Sequence, residues 1–378
     1  MTILELIKHE IRAIFTNPVI LLTVFAGVVF YSFLYPLPYS HQTPTEQEIT
    51  VVNLDNSLTS IQLERMVDAT PQVRIVKKSY SIEQAKHQFL AGDVRGILVI
   101  PKHFYRDLLL GKSPTLAFAG DASYFLVYGT VVEGLAQASG TLAAKTKIKR
   151  LMLEGQPISA AKNQFAASKL NLKPTFNPEI GYVNYVVPAV FVLILQQTLI
   201  MSIGLLGATQ KFGKGYWKRP DSVTLIFVRS SIFVAIYCFL SMYYFGFSFD
   251  YYQISRLASP TVIFTLLIPF LYASSFIGIV LGAILPRREL VTVVVLLSSM
   301  PLIFSTGFIW PLESVPQPMI WLSQLVPSTP AIQSFLKVNQ MAADFEQVID
   351  KWTLLWGQCA GWVLVAFIVD KRFRVNSI

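Results

Sequence analysis

Residues 180–210 read IGYVNYVVPAVFVLILQQTLIMSIGLLGATQ, a stretch of 31 residues without Asp, Glu, Lys or Arg. The hydrocarbon core of a bilayer is about 30 Å thick and needs about 20 helical residues to cross it. The stretch therefore predicts a membrane-spanning helix. The whole chain is 53% hydrophobic and 14% charged, whereas soluble domains carry roughly 25% charged residues. This composition argues against a purely soluble protein.

Charge-free stretches of this kind occur seven times along the chain. The stretch at 314–336 is interrupted by Pro316, Pro318, Pro327 and Pro330, and proline removes backbone donors and breaks helices. We expect two short helices at the outer interface there. The other six predict membrane spans at about 18–37, 182–208, 223–249, 261–285, 290–310 and 352–369. A cleaved signal peptide is disfavoured for the first, because it is long enough to span and no small-residue cleavage pattern follows it.

The distribution of Lys and Arg predicts the orientation of the spans, because cytoplasmic loops carry an excess of both. With six spans, eleven basic residues fall on one side in short segments, against three on the other. The eleven are Lys8, Arg12, Lys211, Lys214, Lys218, Arg219, Arg287, Arg288, Lys371, Arg372 and Arg374. Both termini are then cytoplasmic. The net charge of +9 reflects this topology, so a nucleic-acid partner is not expected.

Residues 38–180 form an insert of ordinary soluble composition, which holds 28 of the 53 charged residues. Its position after the first span places it on the outer side, which is the periplasm in a bacterium. Apolar and β-branched runs predict strands at 49–54, 72–76, 96–100 and 115–119. Helices are predicted at 59–69, 82–91 and 124–154, before a linker to the second span. We expect a small α/β domain. Its long helix could pack on a second copy, but packing on its own sheet is favoured.

No catalytic residue, metal site or cofactor site is predicted. Gly111, Lys112 and Ser113 resemble the end of a phosphate-binding loop, but Arg106 stands where that loop requires Gly. The four histidines show no metal-ligand spacing with one another or with the two cysteines. The chain is therefore not expected to hydrolyse ATP by itself.

The N-terminal segment, residues 1–17, predicts an amphipathic helix on the inner leaflet. Its apolar face comprises Ile3, Leu4, Ile7, Ile11, Ile14 and Phe15. Its polar face comprises Glu5, Lys8, His9 and Arg12. Glu10 interrupts this pattern. The polar face either only solubilises the segment or contacts a partner protein, and the pattern does not distinguish the two.

The loop between the second and third predicted spans mixes basic and aromatic residues. These are Lys211, Phe212, Lys214, Tyr216, Trp217, Lys218 and Arg219. Topology explains the charges but not the aromatics, which could anchor the loop in lipid headgroups or form a docking site for a protein.

Ionisable residues are missing from the middle of every predicted span. This weighs against an ion-coupled carrier, because such proteins usually need a group that holds the driving ion. The polar residues include Gln196, Gln197, Ser298, Ser299 and Thr306. Hydrogen bonding between helices is their default role, and a substrate path is the alternative hypothesis. The pairs Gly278/Gly282 and Gly357/Gly361 would let helices pack closely, within or between subunits.

Several motifs together carry a family resemblance. In the insert, residues 51–57 read VVNLDNS and residues 91–101 read AGDVRGILVIP, followed by Phe104, LGK at 110–112 and DAS at 121–123. Near the C-terminus, residues 305–311 read STGFIWP, and LVPSTP follows at 325–330. The whole chain resembles the membrane subunits of ABC-2 type exporters, in particular the YhhJ/YbhR-like multidrug permeases of the bacterial inner membrane, which carry a large insert after the first span. Thr306 replaces the family's Ser, and Asn53 stands where Asp is expected.

The resemblance implies an ABC-2 exporter fold of six transmembrane helices with an inserted α/β periplasmic domain. It implies two such subunits, identical or closely related, with a separate cytoplasmic ATPase that uses ATP and Mg. The N-terminal helix, through Glu5, Lys8 and Arg12, and the loop at 211–219 would contact that ATPase. The outer domain could meet a periplasmic adaptor leading to an outer-membrane channel, and drugs or other amphipathic compounds would be the substrates.

Two other classes of function stay open. A receptor or scaffold would bind a ligand, phage or envelope partner through the insert, although six spans with basic and aromatic loops exceed what anchoring requires. A membrane-embedded enzyme is less favoured, since no predicted span carries the paired acids or histidines that such chemistry uses.

Overall fold

The computed structural model describes residues 2–39, 43–165, 175–177, 181–209, 216 and 220–375. The chain divides into two units, each with its own core. One unit, called here the membrane unit, comprises Met1–Ser40 and Pro174–Ile378. The other, called the insert unit, comprises His41–Lys173.

All regular secondary structure in the described part of the membrane unit is helical. Helix α1 (Ile3–Thr16) precedes α2 (Pro18–Tyr39), and Pro18 at the first position of α2 separates the two. Three long apolar helices follow the insert: α8 (Val186–Ala208), α9 (Ser222–Tyr251) and α10 (Pro260–Ile284). The shorter α11 (Glu289–Ser305) comes next, and α14 (Phe345–Arg372) ends the unit. Among the described residues, five helices are therefore long and apolar enough to cross a membrane: α2, α8, α9, α10 and α14.

Helix α11 lies where the fifth span was predicted at 290–310, but it ends at Ser305. Its 17 residues rise about 25 Å, less than the 30 Å of a bilayer core. The helix ends there because the backbone of Gly307 has φ of +90°, which does not continue a right-handed helix. A Cβ added at Gly307 would lie 2.6 Å from Leu312 Cγ. The number of spans, six, thus stays a prediction.

Two short helices occupy the proline-rich segment, as the sequence suggested. They are α12 (Gln317–Ser323) and α13 (Ser328–Phe335). Pro318 lies in the first turn of α12, where a missing N–H costs nothing.

Helix α8 lies at the centre of the membrane unit, and nearly all of its side chains are buried. It packs closely on α10 through glycines. A Cβ at Gly282 would lie 2.6 Å from the carbonyl oxygen of Gly204, and one at Gly278 would lie 3.0 Å from that of Ile200. The Gly278/Gly282 pair therefore serves packing within the subunit. On α14, by contrast, a Cβ added at Gly357 or Gly361 would meet no described atom within 4 Å.

The insert unit is built around a four-stranded sheet. The strands are β1 (Gln47–Asn53), β2 (Val73–Lys78), β3 (Gly96–Ile100) and β4 (Ala117–Gly120). Their order is β2-β1-β3-β4, with β1 parallel to β2 and β3, and β4 antiparallel to β3. Helices α3 (Leu58–Asp68) and α4 (Ile82–Leu90) connect the parallel strands. Ile49 to Val52 are all buried, as expected of a central strand covered on both faces.

Helix α6 (Phe125–Leu153) packs on the sheet of its own chain. Its Val131, Ala138 and Leu142 join Ile49 and Leu98 in one core, so the favoured packing of this helix is confirmed. Helix α4 covers the opposite face through Ala85.

Two helices of the insert unit were not predicted. They are α5 (Phe104–Leu109) and α7 (Ile158–Phe165), the latter placed within what the sequence suggested to be a linker. Each spans only about two turns, which is too short for an apolar period to stand out.

Asn53, the departure from the expected Asp, closes the turn after β1. Its Nδ2 donates to Ser60 Oγ (2.9 Å) and to Glu64 Oε1 (2.7 Å), and its Oδ1 accepts from the backbone N–H of Asn56 (2.9 Å). Glu64 is itself nearly buried. An amide fits here because a carboxylate could not donate to Glu64.

Candidate functional site

Helix α1 presents three faces. Thr2 and Glu5 form a capping box: Thr2 N–H donates to Glu5 Oε2 (2.8 Å), and Glu5 N–H donates to Thr2 Oγ1 (3.2 Å). The hydrogen bond from the Thr2 backbone lowers the pKa of Glu5. The polar face with Glu5, Lys8 and Arg12 is exposed, as a partner contact would require.

The apolar face of α1 is also largely exposed, at Ile3, Leu4, Ile11 and Phe15. The buried face is a third one, formed by Leu6, Glu10 and Ile14 at helical spacing of four residues, and α1 packs on α9. An exposed apolar face suits contact with lipid, while the third face fixes the helix to the membrane unit.

The buried face of α1 explains why Glu10 interrupts the apolar pattern. Arg229 of α9 donates to both carboxylate oxygens of Glu10, from Nε at 2.9 Å and from Nη2 at 2.5 Å. The side chains are 0% and 3% exposed for Glu10 and Arg229. A planar guanidinium matches a carboxylate in this two-point arrangement.

Tyr216 completes this cluster from the loop that precedes α9. Its hydroxyl donates to Glu10 Oε1 (3.2 Å), and its ring stacks on His9 with a centroid separation of 4.8 Å and an interplanar angle of 23°. Glu10, Arg229, Tyr216 and His9 are called here the junction. The junction ties the N-terminal helix, the loop and the base of α9 together.

The remaining predicted loop residues lie outside the described part of the chain. They are Lys211, Phe212, Lys214, Trp217, Lys218 and Arg219. At the end of the loop, Asp221 caps α9: its Oδ2 accepts from Thr224 N–H (3.2 Å), and the hydrogen bonds of Thr224 lower the pKa of Asp221.

Sequence reasoning did not identify Glu10 or Arg229 as functional candidates. Two signals were present, since Glu10 interrupts an apolar face and Arg229 lies at the edge of an apolar run. Their pairing could not be inferred, because 219 positions separate them.

An apolar cavity of about 350 Å³ lies among α8, α10, α11, α12 and α14. Gln196, Gln197 and Ser298 line it, so the structure brings three of the five predicted path residues together. Ser299 is not among the lining residues, but its hydroxyl accepts a hydrogen bond from Gln197 Nε2 at 2.5 Å. Thr306 does not line the cavity, and its carbonyl oxygen accepts from Gln333 (3.0 Å). No sequence signal pointed to other lining residues, such as Pro301 and Trp362.

The turn between α12 and α13 is held by side chains of the long helices. Gln196 Oε1 accepts from Ser328 N–H (2.6 Å), Gln358 donates to the carbonyl of Gln324 (2.6 Å), and Trp362 donates to that of Leu325 (3.3 Å). These bonds give partners to backbone groups that lie outside regular helix. Gln196 and Gln358 thus bind backbone rather than another helix's side chains.

Mostly apolar walls with a few polar groups are typical of sites for hydrophobic small molecules. Among the described residues, no cluster of His, Cys, Asp or Glu could hold a metal ion.

A model of the family described as ABC-2 family transporter protein matches residues 18–368. This range includes the insert unit, four of the five long apolar helices in full, and α14 as far as residue 368. No curated protein matches the chain.

Proposed function

This chain belongs to the ABC-2 family of transporter proteins, and from that membership we propose that it exports drugs or other amphipathic, hydrophobic compounds. As a member of the family it is a multi-pass membrane component of an ABC transport system and not the ATPase itself. Membership also implies a partner ATPase subunit and a dimeric permease.

The apolar cavity is the observation that supports the choice of substrate. Its 350 Å³ is within the range of small-molecule sites. Gln197 and Ser298 would orient a polar group of the compound, while Ile277, Leu302 and Trp362 would contact its apolar part. In this proposal Ser299 holds Gln197 in place.

We propose that the junction transmits the movement of the ATPase to the spans. The exposed Glu5, Lys8 and Arg12 would contact the ATPase together with the loop residues Lys211, Phe212, Lys214, Trp217, Lys218 and Arg219. Tyr216 connects that loop to Glu10 and, through Glu10, to Arg229 on α9. A displacement of α1 or of the loop would therefore move α9, because a buried ion pair does not separate without a large cost.

The proposed setting is the bacterial inner membrane, with six spans, both termini cytoplasmic and the insert unit periplasmic. The partner copy would be identical or a close relative. A periplasmic adaptor and an outer-membrane channel would complete the pathway in the insert-bearing subgroup.

Purification of the full chain in mild detergent tests the proposal. We expect an ATPase chain to co-purify, and its ATP hydrolysis to increase when hydrophobic compounds are added. A receptor would purify without an ATPase, and its reproducible absence would overturn the proposal.

Coupling is tested by replacing Tyr216, Trp217 and Lys218 with Ala. We expect ATP hydrolysis to persist while export in inverted vesicles is lost, or the ATPase to dissociate. The matched variant Tyr216→Phe keeps the ring that stacks on His9 but removes the hydroxyl that binds Glu10. Normal export by the triple variant would refute the coupling role.

A further inference from the structure

A basic, partly apolar trough lies on the insert unit between α6 and the segment 108–116. Its volume is about 520 Å³. The floor is apolar: Leu116 is partly exposed there, whereas Leu63 and Phe104 are buried. The α6 side includes a row of small residues. These residues are Ser139, Gly140, Ala143 and Thr146, at helical spacing along one face.

Cations occupy one part of the trough. Lys112, Lys147 and Arg150 line it, and none of its lining residues is acidic. Gly111 has φ of +73°, and a Cβ there would collide with the Arg150 guanidinium, which therefore lies directly over this turn. Arg150 also makes a long ion pair with Glu154 (3.7 Å), which leaves both groups substantially exposed.

We infer that the trough binds an amphipathic anion with a single apolar chain and a carboxylate or phosphate head. The head would pair with Arg150 and Lys112, since guanidinium and ammonium groups bind such anions through charge-assisted hydrogen bonds. The chain would lie over the floor along α6. From residue 139 to residue 150 this face extends about 16 Å, which suits a single medium-length acyl chain. This inference concerns the insert unit alone and does not depend on the proposed export function.

Gly140 offers a way to block the trough without disturbing the fold. It is a trough residue in the middle of a helix, and no described atom lies within 4 Å of a Cβ added there. Gly140→Leu should therefore fill the trough and also favour the helix. Gly129, on the same helix, has equally open surroundings and does not line the trough, so Gly129→Leu is the matched control.

The experiment uses the full chain in phosphatidylcholine nanodiscs and a fatty acid that carries a photoreactive diazirine. After illumination, labelled peptides are mapped by mass spectrometry. We expect labels within residues 104–116 and 139–150, lost in Gly140→Leu and retained in Gly129→Leu. Arg150→Gln should lower the labelling about tenfold, the scale of a lost charge-assisted hydrogen bond. Lys145→Gln, an exposed change outside the trough, should not.

Competition identifies the head group. Dodecanoic acid and dodecyl phosphate should both reduce labelling, and the stronger competitor distinguishes a carboxylate from a phosphate ligand. Equal competition by dodecanol would overturn the inference, because it would show a merely apolar surface. Labelling that persists in Gly140→Leu would also overturn the inference. So would labelling that disappears when phosphatidylglycerol is added to the nanodiscs, because that result would assign the trough to a bilayer lipid.

Discussion

Arg229 donates two hydrogen bonds to Glu10, and this buried ion pair joins the N-terminal helix α1 to the base of α9. Both side chains are buried, so water does not solvate either charge and each is neutralised by the other. The pair therefore determines where α1 can lie, and α1 carries the exposed Glu5, Lys8 and Arg12 that are proposed to meet the ATPase.

Glu10→Ala should destabilise the protein strongly. It leaves the Arg229 guanidinium buried without its partner, which costs about 3–5 kcal/mol. The thermal unfolding midpoint of the detergent-solubilised protein measures the effect. Lys8→Ala, an exposed change on the same helix, should leave the midpoint nearly unchanged. The double variant Glu10→Leu/Arg229→Met should recover much of the loss, because no lone charge remains. A single variant as stable as the parent would contradict the burial of this pair.

Gly282→Ala should also be destabilising, by about 1–3 kcal/mol, the usual cost of overpacking. The new Cβ would lie 2.6 Å from the Gly204 carbonyl oxygen on α8, and backbone cannot move aside as a flexible side chain can. Gly361→Ala on α14 is the matched control, because a Cβ there meets no described atom within 4 Å. We expect its unfolding midpoint to be unchanged or slightly higher. Equal midpoints for the two variants would mean that α8 and α10 are not in close contact.

The sequence predicted most elements of the insert unit because its strands and helices each follow a clear period. The strand expected at 96–100 is β3, and the long helix expected at 124–154 is α6. Short elements such as α5 carried too few residues to show a pattern. In the membrane unit, apolar runs predicted where the helices lie. Composition alone did not show that α11 ends at Ser305, because the uncharged residues Thr306 to Trp310 are as compatible with a span as the residues before them.

Of the site, sequence reasoning found residues but not their partners. Gln197 and Ser299 were both singled out, and their hydrogen bond became visible only in the fold, because 102 positions separate them. Gln358 likewise donates to the carbonyl of Gln324, a partner 34 positions away that the sequence did not indicate. Side-chain periodicity reports which face is buried, but it does not carry information about which distant backbone group needs a donor.

Asn53→Asp, which restores the residue expected from the family, should destabilise the insert unit by about 1–3 kcal/mol. It removes a donor to Glu64 Oε1 and places a second carboxylate beside that nearly buried acid. Repulsion raises the pKa of one of the two carboxyl groups in the folded state. The loss in the free energy of unfolding therefore grows as the pH rises through that pKa, and it is smaller at lower pH.

Hydrogen exchange of α3 and β1 in the full chain, followed as a function of pH, measures this deficit. Asn56→Asp is the control, since Asn56 lies in the same turn but is exposed. Protection that is the same in both variants at neutral pH would contradict the role assigned to Asn53.

Ser298→Phe should abolish stimulation of the partner ATPase by hydrophobic compounds while preserving its basal activity. Ser298 lines the cavity of about 350 Å³, and a phenyl ring there would fill much of the space that a compound needs. Among the described residues, the serine hydroxyl binds only the carbonyl of Val295 on its own helix (2.8 Å), so its loss should cost little stability. Leu297→Phe is the matched control, because Leu297 is adjacent, 72% exposed and outside the cavity lining. Compound-dependent ATP hydrolysis, measured over a concentration series in nanodiscs that contain both chains, separates the two. Because the cavity is proposed as the binding site, stimulation should vanish in Ser298→Phe and remain in Leu297→Phe; equal responses would place the substrate path elsewhere.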